Sequence, residues 1–256
     1  GLSARVAADP DAALAGRDLT PLERRRIAAA AGQPGIAVNQ ALYRYNRTVP
    51  LTEVLRGTAH LLGGAFRTLA EEFWAEDCLD RNMRREAERF AAFLHRALAA
   101  GRVSSPYLPA VLDFELTRYQ LATRPRGPQL AAVAEAAARW PDGPLALHPL
   151  MRIVPFTHEP ISLLRWLAAR RPLPYPELSE GEFHLLLDFT PEGKYEQDVL
   201  DPAWARVIQD VLARRGDPDP DAVRQLVDAG ILVHSAPNGE DAAAPEQATA
   251  VGFSIG

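Results

Sequence analysis

The stretch "FHLLLDFTPEGKYEQDVLDPAWARVIQDVL", Phe183 to Leu212, reads as a β-hairpin running straight into a helix. Phe183, Leu185 and Leu187 alternate with His184, Leu186 and Asp188, the period-two pattern of a strand with one buried face. Pro191-Glu192-Gly193 makes a turn, and "KYEQDV" returns as a second strand. Asp201 before Pro202 caps a helix through Leu212, because a short carboxylate satisfies free N–H groups and proline needs no donor in the first turn. "DPDPDAVRQLVDAG" supplies a further helix stopped by Gly230, and "ILVHS" a short strand.

Upstream of this unit the chain is mostly helical. In "LTPLERRRIAAAAG" Thr20 is the N-cap, Pro21 the first helical residue, Glu23 the partner of a capping box and Gly32 the stop. Pro50 is expected to open a helix over "PLTEVLRGTAHLLGG". The longest helix, "LDRNMRREAERFAAFLHRALAAG", carries Met83, Ala87, Phe90, Leu94 and Leu98 on one apolar stripe. "YLPAVLDFELTRYQLA" repeats the pattern through Leu108, Leu112, Leu116 and Tyr119, and "TRPRGP" breaks it. The texture then changes. "WPDGPLALHPLMRIVPFTHEP" holds five prolines around a strand-like run, Leu150 to Phe156, and the helix "PISLLRWLAARR" follows. These signals predict an α+β protein: a helical domain over residues 1–145, a small winged-helix-like βα domain over 146–235, and a flexible tail over 236–256.

Composition removes several classes of function. The chain has 256 residues, 47% of them hydrophobic, which is ample for buried cores. A net charge of −5 gives no general attraction for phosphate. One cysteine, Cys78, excludes an internal disulfide framework and a thiolate zinc cluster. No apolar run approaches the ~18 residues of a membrane span, and "GLSARVAADPDAAL" has no apolar leader core, so we expect a cytoplasmic protein. Lys194 is the one lysine beside 27 arginines, a bias that matches high genomic GC content rather than any activity.

Catalytic constellations are sparse. Glu53 and His60, like Glu88 and His95, stand seven residues apart, two helical turns, which is too far to chelate one metal. Glu-x-x-His spacing is absent, and so are G-x-S-x-G, the P-loop and G-x-G-x-x-G. Cys78 has no histidine near it in sequence. In "THEP" the glutamate ahead of Pro160 reads as a helix cap. A chain with this little chemistry is expected to act by binding.

The region from Phe183 to Val233, with its strand, "PEGKY" turn, second strand and helix pair ending in "LVDAGIL", resembles the small domains that recognise leader peptides of ribosomally made peptide natural products. The preceding part, with "AVNQALYRYNRTVPL", "MRREAERFAAFLHRAL" and "RIVPFTHEPISLLRWL", is similar to partner subunits of multinuclear non-haem iron oxidases, as in methanobactin biosynthesis. The resemblance implies that iron belongs to a separate oxidase subunit and that no cofactor binds this chain. It also implies that the chain forms a heterodimer with that subunit and holds the precursor peptide. A disordered leader gains most from an unpaired strand edge beside an apolar helix, which nominates Tyr195, Glu196, Gln197, Val199, Trp204, Val207, Ile208 and Val211. Phe66, Phe73, Trp74 and the "LYRYN" segment, residues 42 to 46, exceed what one stripe per helix accommodates and are candidates for the partner interface. The competing expectation is a winged-helix DNA-binding regulator. Against it, Asp201, Asp210, Asp217, Asp219, Asp221 and Asp228 crowd the helices that would approach phosphate.

Overall fold

The computed structural model describes residues 2–76, 83–124, 126–172, 176–190 and 194–235. Cys78, the Pro191-Glu192-Gly193 turn and the expected tail over 236–256 lie outside the described residues. The helices are α1 (Leu2–Ala8), α2 (Pro10–Ala13), α3 (Pro21–Ala31), α4 (Pro34–Val54), α5 (Arg56–Leu62), α6 (Gly64–Glu76), α7 (Met83–Ala99), α8 (Leu108–Thr123), α9 (Arg126–Arg139), α10 (Pro160–Ala168), α11 (Pro202–Ala213) and α12 (Pro220–Asp228). The strands are β1 (Leu145–Leu147), β2 (Met151–His158), β3 (Glu180–Phe189), β4 (Tyr195–Leu200) and β5 (Leu232–His234). The protein is α+β, with small antiparallel sheets.

The chain divides into two compact units, residues 1–56 with 64–90, and residues 57–63 with 91–256. The division therefore does not fall at residue 145. The reason is packing: Leu108, Val111 and Phe114 of α8 share one core with Val154 and Phe156 of β2 and Leu185 and Leu187 of β3. Cutting at 145 would split that core.

In the first unit the local signals of α3 take the expected form. Glu23 N–H donates to Thr20 Oγ1 at 3.3 Å, and Thr20 N–H donates to Glu23 Oε2 at 2.8 Å, closing the capping box. The Thr20 N–H and the Thr20 hydroxyl, which also donates to Glu23 Oε2 at 2.8 Å, hold the Glu23 carboxyl below its usual pKa. The expected helix start at Pro50 is wrong, because Pro50 lies inside α4, which runs on to Val54. A proline within a helix removes one i→i−4 bond, yet Leu51 and Val54 just after it are buried, and packing of that turn offsets the loss. Ala87 and Phe90 of α7 are fully buried, and Phe90 meets Phe66 edge-on at 5.4 Å and Phe73 at 5.3 Å. Met83 heads the same stripe, its side chain outside those described.

In the second unit β2, β3 and β4 form one antiparallel sheet in that order. β3 is central, and both of its faces are covered: Leu185 and Leu187 on one side, His184 and Leu186 on the other, are all buried. The sequence pattern had predicted one buried face. α8 likewise is buried on more than one side, through Leu108, Val111, Leu112, Phe114, Glu115 and Leu121, rather than along the single expected stripe. A second, smaller core joins Ile208 of α11, Leu226 of α12 and Leu232 of β5, next to the β1–β5 pair. Asp201 accepts from Ala203 N–H at 2.8 Å and so caps α11 as expected.

Candidate functional site

β4 is the terminal strand of its sheet, paired with β3 on one side. Its register, Asp188 opposite Glu196 and Leu187 opposite Gln197, fixes which backbone groups that pairing uses. Thr190 N–H donates to the Lys194 carbonyl at 2.9 Å, so Thr190–Lys194 is a bonded pair. In an antiparallel ladder bonded and non-bonded pairs alternate, so Asp188–Glu196, Leu186–Asp198 and His184–Leu200 are bonded in turn. Phe189 N–H donates to Leu150 on the β2 side, at 3.1 Å, which is the same alternation seen from the opposite side of β3. It follows that Tyr195, Gln197 and Val199 turn their N–H and C=O groups away from the sheet. The free edge of β4 belongs to those three residues.

The side chains alternate the other way, between the two faces of the sheet. Tyr195 packs against the larger core, tilted on Phe189 at 5.2 Å, and its hydroxyl donates to Gln197 Oε1. Burial pushes the Tyr195 hydroxyl up to about 12, so it stays a donor at every physiological pH. Val199 is 41% exposed. On the opposite face Glu196 and Asp198 are exposed, and Leu200 packs against the smaller core.

α11 follows β4 directly. Trp204, Val207 and Val211 are half-buried against the smaller core, while Ile208 is completely buried beneath them. Ile208 thus supports the helix from below and cannot touch a ligand, which corrects its place among the expected surface residues. Trp204, Val207 and Val211 each keep an accessible side. Between β3 and α11 a cleft of about 80 Å³ is lined by Glu182, His184, Pro202, Arg206 and Gln209. Sequence reading had put His184 on the less buried side of the strand. It is 7% exposed, and its Nε2 lies 2.8 Å from Gln209 Nε2; that contact fastens α11 to the sheet.

Three titratable residues singled out in the sequence, Glu159, His60 and His95, have structural partners. Glu159 accepts from the Ile161 and Ser162 N–H groups at 2.8 Å, the helix cap expected of "THEP", and these bonds, with Arg165 nearby, hold its carboxyl below the usual pKa despite burial. His60 Nε2 lies 2.9 Å from the Arg171 carbonyl and the ring meets Trp166 edge-on. His95 Nε2 lies 2.8 Å from Asp113 Oδ1, and that bond raises the imidazole pKa. Among the described residues no three His, Cys, Asp or Glu side chains gather as metal ligands, and no helix is long and apolar enough to cross a membrane.

Phe66 and Phe73, nominated for a partner interface, are 4% and 3% exposed and are absorbed by the core of the first unit. Trp74 is half-buried, with its indole N–H donating to Glu86 Oε1 at 2.6 Å. Exposed large apolar side chains in that unit lie on α3, at Leu22 and Ile27, and on α4, where the nominated "LYRYN" segment falls. Val38, Leu42, Tyr45 and Val49 are 58%, 54%, 66% and 38% exposed. They recur at intervals of four, three and four residues, one stripe along the helix.

In comparison with known proteins, no family model matches this sequence and no curated protein matches it.

Proposed function

We propose that this chain is an accessory protein, without catalytic chemistry of its own, that holds an extended leader of a ribosomally made precursor peptide and delivers it to a separate iron-dependent oxidase subunit. The winged-helix-like part, β3, β4 and the two helices after it, is the peptide-binding element. The free edge of β4 carries the reading, because outward N–H and C=O groups at Tyr195, Gln197 and Val199 are what a disordered peptide completes by adding a strand. Trp204, Val207 and Val211 of the following helix offer apolar contact to its side chains. The acidic side chains on α11 and α12 count against a duplex-binding role, since each would repel phosphate.

The register turns this into a sharp test. Gln197 N–H points away from β3, so Gln197→Pro removes a donor from the free edge and leaves the ladder intact. Glu196 N–H belongs to the ladder, and Glu196→Pro is expected to break the hairpin itself. With the leader of a short precursor gene encoded beside this chain as a fluorescein-labelled probe, Gln197→Pro should weaken binding about tenfold, the effect of losing one or two hydrogen bonds. Thermal unfolding of that variant should stay close to the parent. Unchanged affinity in the folded variant, or a gene neighbourhood with no oxidase and no precursor, would overturn the reading.

The stripe on α4 supports the protein partner. An apolar row at alternating spacings of four and three is the seam that a helix of another subunit covers. Leu42→Glu with Tyr45→Glu puts two charges into that seam and is expected to separate the two subunits on size-exclusion chromatography at micromolar concentration. Co-elution of the double variant with the oxidase would place the interface elsewhere.

A further inference from the structure

We propose that the β4 edge selects a cationic peptide segment, with basic side chains on every second residue, through Glu196 and Asp198. This rests on the peptide-binding reading above and names the class of ligand. Glu196 and Asp198 are two residues apart, hence on one face of the strand, and both are exposed. Among the described residues neither makes an ion pair, although the chain carries exposed arginines elsewhere.

The face is also internally repulsive. Glu196 stands directly opposite Asp188 in a bonded cross-strand pair, and like charges so placed destabilise a sheet. Asp188 has its pKa raised, chiefly by burial and further by Glu196, while His148 acts in the opposite sense. Lys194 stands two residues before Glu196 and so on the same face, but among the described residues no ion pair joins the two. A strand added to the free edge brings every second side chain beside Glu196 and Asp198, at cross-strand distances of roughly 5 Å. A lysine or arginine there relieves the repulsion; a glutamate adds to it. Charged residues on an edge strand also serve to keep other chains off. The two roles differ in one observable, whether a cationic strand is accepted.

The probes are three fluorescein-labelled decapeptides of alternating Thr-Lys, Thr-Gln and Thr-Glu, titrated against the full chain by fluorescence anisotropy. Two favourable cross-strand charge pairs should make Thr-Lys bind about tenfold more tightly than Thr-Gln at 50 mM salt, with Thr-Glu weakest. The preference should collapse at 500 mM salt, where screening reaches only a few Å. Glu196→Gln with Asp198→Asn should equalise Thr-Lys and Thr-Gln, and Gln197→Pro should weaken both about tenfold.

Three results would count against the proposal. Equal affinities for Thr-Lys and Thr-Gln, both weakened in Gln197→Pro, would leave the edge as the binding site and overturn its charge selectivity. A Thr-Lys preference that persists in the doubly neutralised variant would show that the cations are read elsewhere, which also overturns it. Binding of all three peptides that is insensitive to Gln197→Pro would overturn the edge reading, and the inference with it.

Discussion

Glu86→Ala is expected to destabilise the first unit by about 3–5 kcal/mol, the loss typical of removing one partner from a buried ion pair. One carboxylate oxygen of Glu86 accepts three bonds, from Arg47 Nε at 2.9 Å, Arg47 Nη2 at 2.6 Å and the Trp74 indole N–H at 2.6 Å. The Glu86 and Arg47 side chains are 9% and 13% exposed, so little solvent is at hand to replace those bonds. Arg47 lies over the rings of Trp74, at 4.8 Å, and Tyr43, at 5.5 Å, and donates to the Tyr43 hydroxyl at 3.1 Å. Without the carboxylate the guanidinium keeps that single neutral acceptor. Glu86→Gln retains an acceptor oxygen and is expected to cost less, about 1–3 kcal/mol. Urea unfolding followed by circular dichroism gives both values. A loss under about 1 kcal/mol for Glu86→Ala would mean that water reaches all three orphaned donors.

The same cluster shows where sequence reading stops. Trp74 looked surplus because helical periodicity assigns each residue to an apolar or a polar face, and an indole that packs on a guanidinium while donating to a carboxylate belongs to both. Nothing in the spacing of Arg47, Trp74 and Glu86 announces that they meet. What was legible is local. The capping box at Thr20, the Asp201 cap, the β3–β4 hairpin and the α11–α12 pair all follow from backbone donors and acceptors within a few residues. β1 was not legible: it has three residues, and its partner β5 lies far along the chain, Leu145 opposite His234. α9 was hidden behind "TRPRGP", where Pro128 falls in the first turn of a helix rather than after the end of one.

The candidate site divides in the same manner. That β4 would be an edge strand was expected from the hairpin, but the backbone alternation that frees Tyr195, Gln197 and Val199 required the pairing register. The burial of Ile208 and of His184 was equally out of reach, because both depend on what covers the helix and the sheet from outside the hairpin. Ile208 sits under α12 and β5, and His184 under Gln209. A period of 3.6 or 2 identifies a face, not the partner that covers it.

Glu115 is the second residue whose loss should be large, and its effect carries a pH signature. It is 4% exposed, and its carboxylate accepts from the Gly57 N–H at 2.6 Å and the Thr58 N–H at 2.9 Å, the free donors at the start of α5. The approach is tight: a Cβ at residue 57 would lie 3.1 Å from Val111 Cγ1, 3.2 Å from Glu115 Oε1 and 3.2 Å from Leu167 Cδ1, so those side chains would have to give by a few tenths of an ångström. Glu115→Ala strands two buried donors and opens a void, an expected loss of about 3–5 kcal/mol. Burial raises the Glu115 pKa above its ordinary 4.5, outweighing the two backbone bonds and Arg118, which lower it. Because the folded state holds its proton to higher pH than the unfolded chain, the contribution of this group is fully present below about 4.5 and is lost as pH rises through the folded value. Glu115→Gln has no such titration. Stability measured by urea unfolding at a series of pH values should therefore fall for the parent relative to Glu115→Gln as pH rises above about 4.5, and level off once the folded carboxyl has ionised. A difference that grows in favour of the parent over that range would mean that the two N–H bonds outweigh burial, and that Glu115 is held as a carboxylate from the outset.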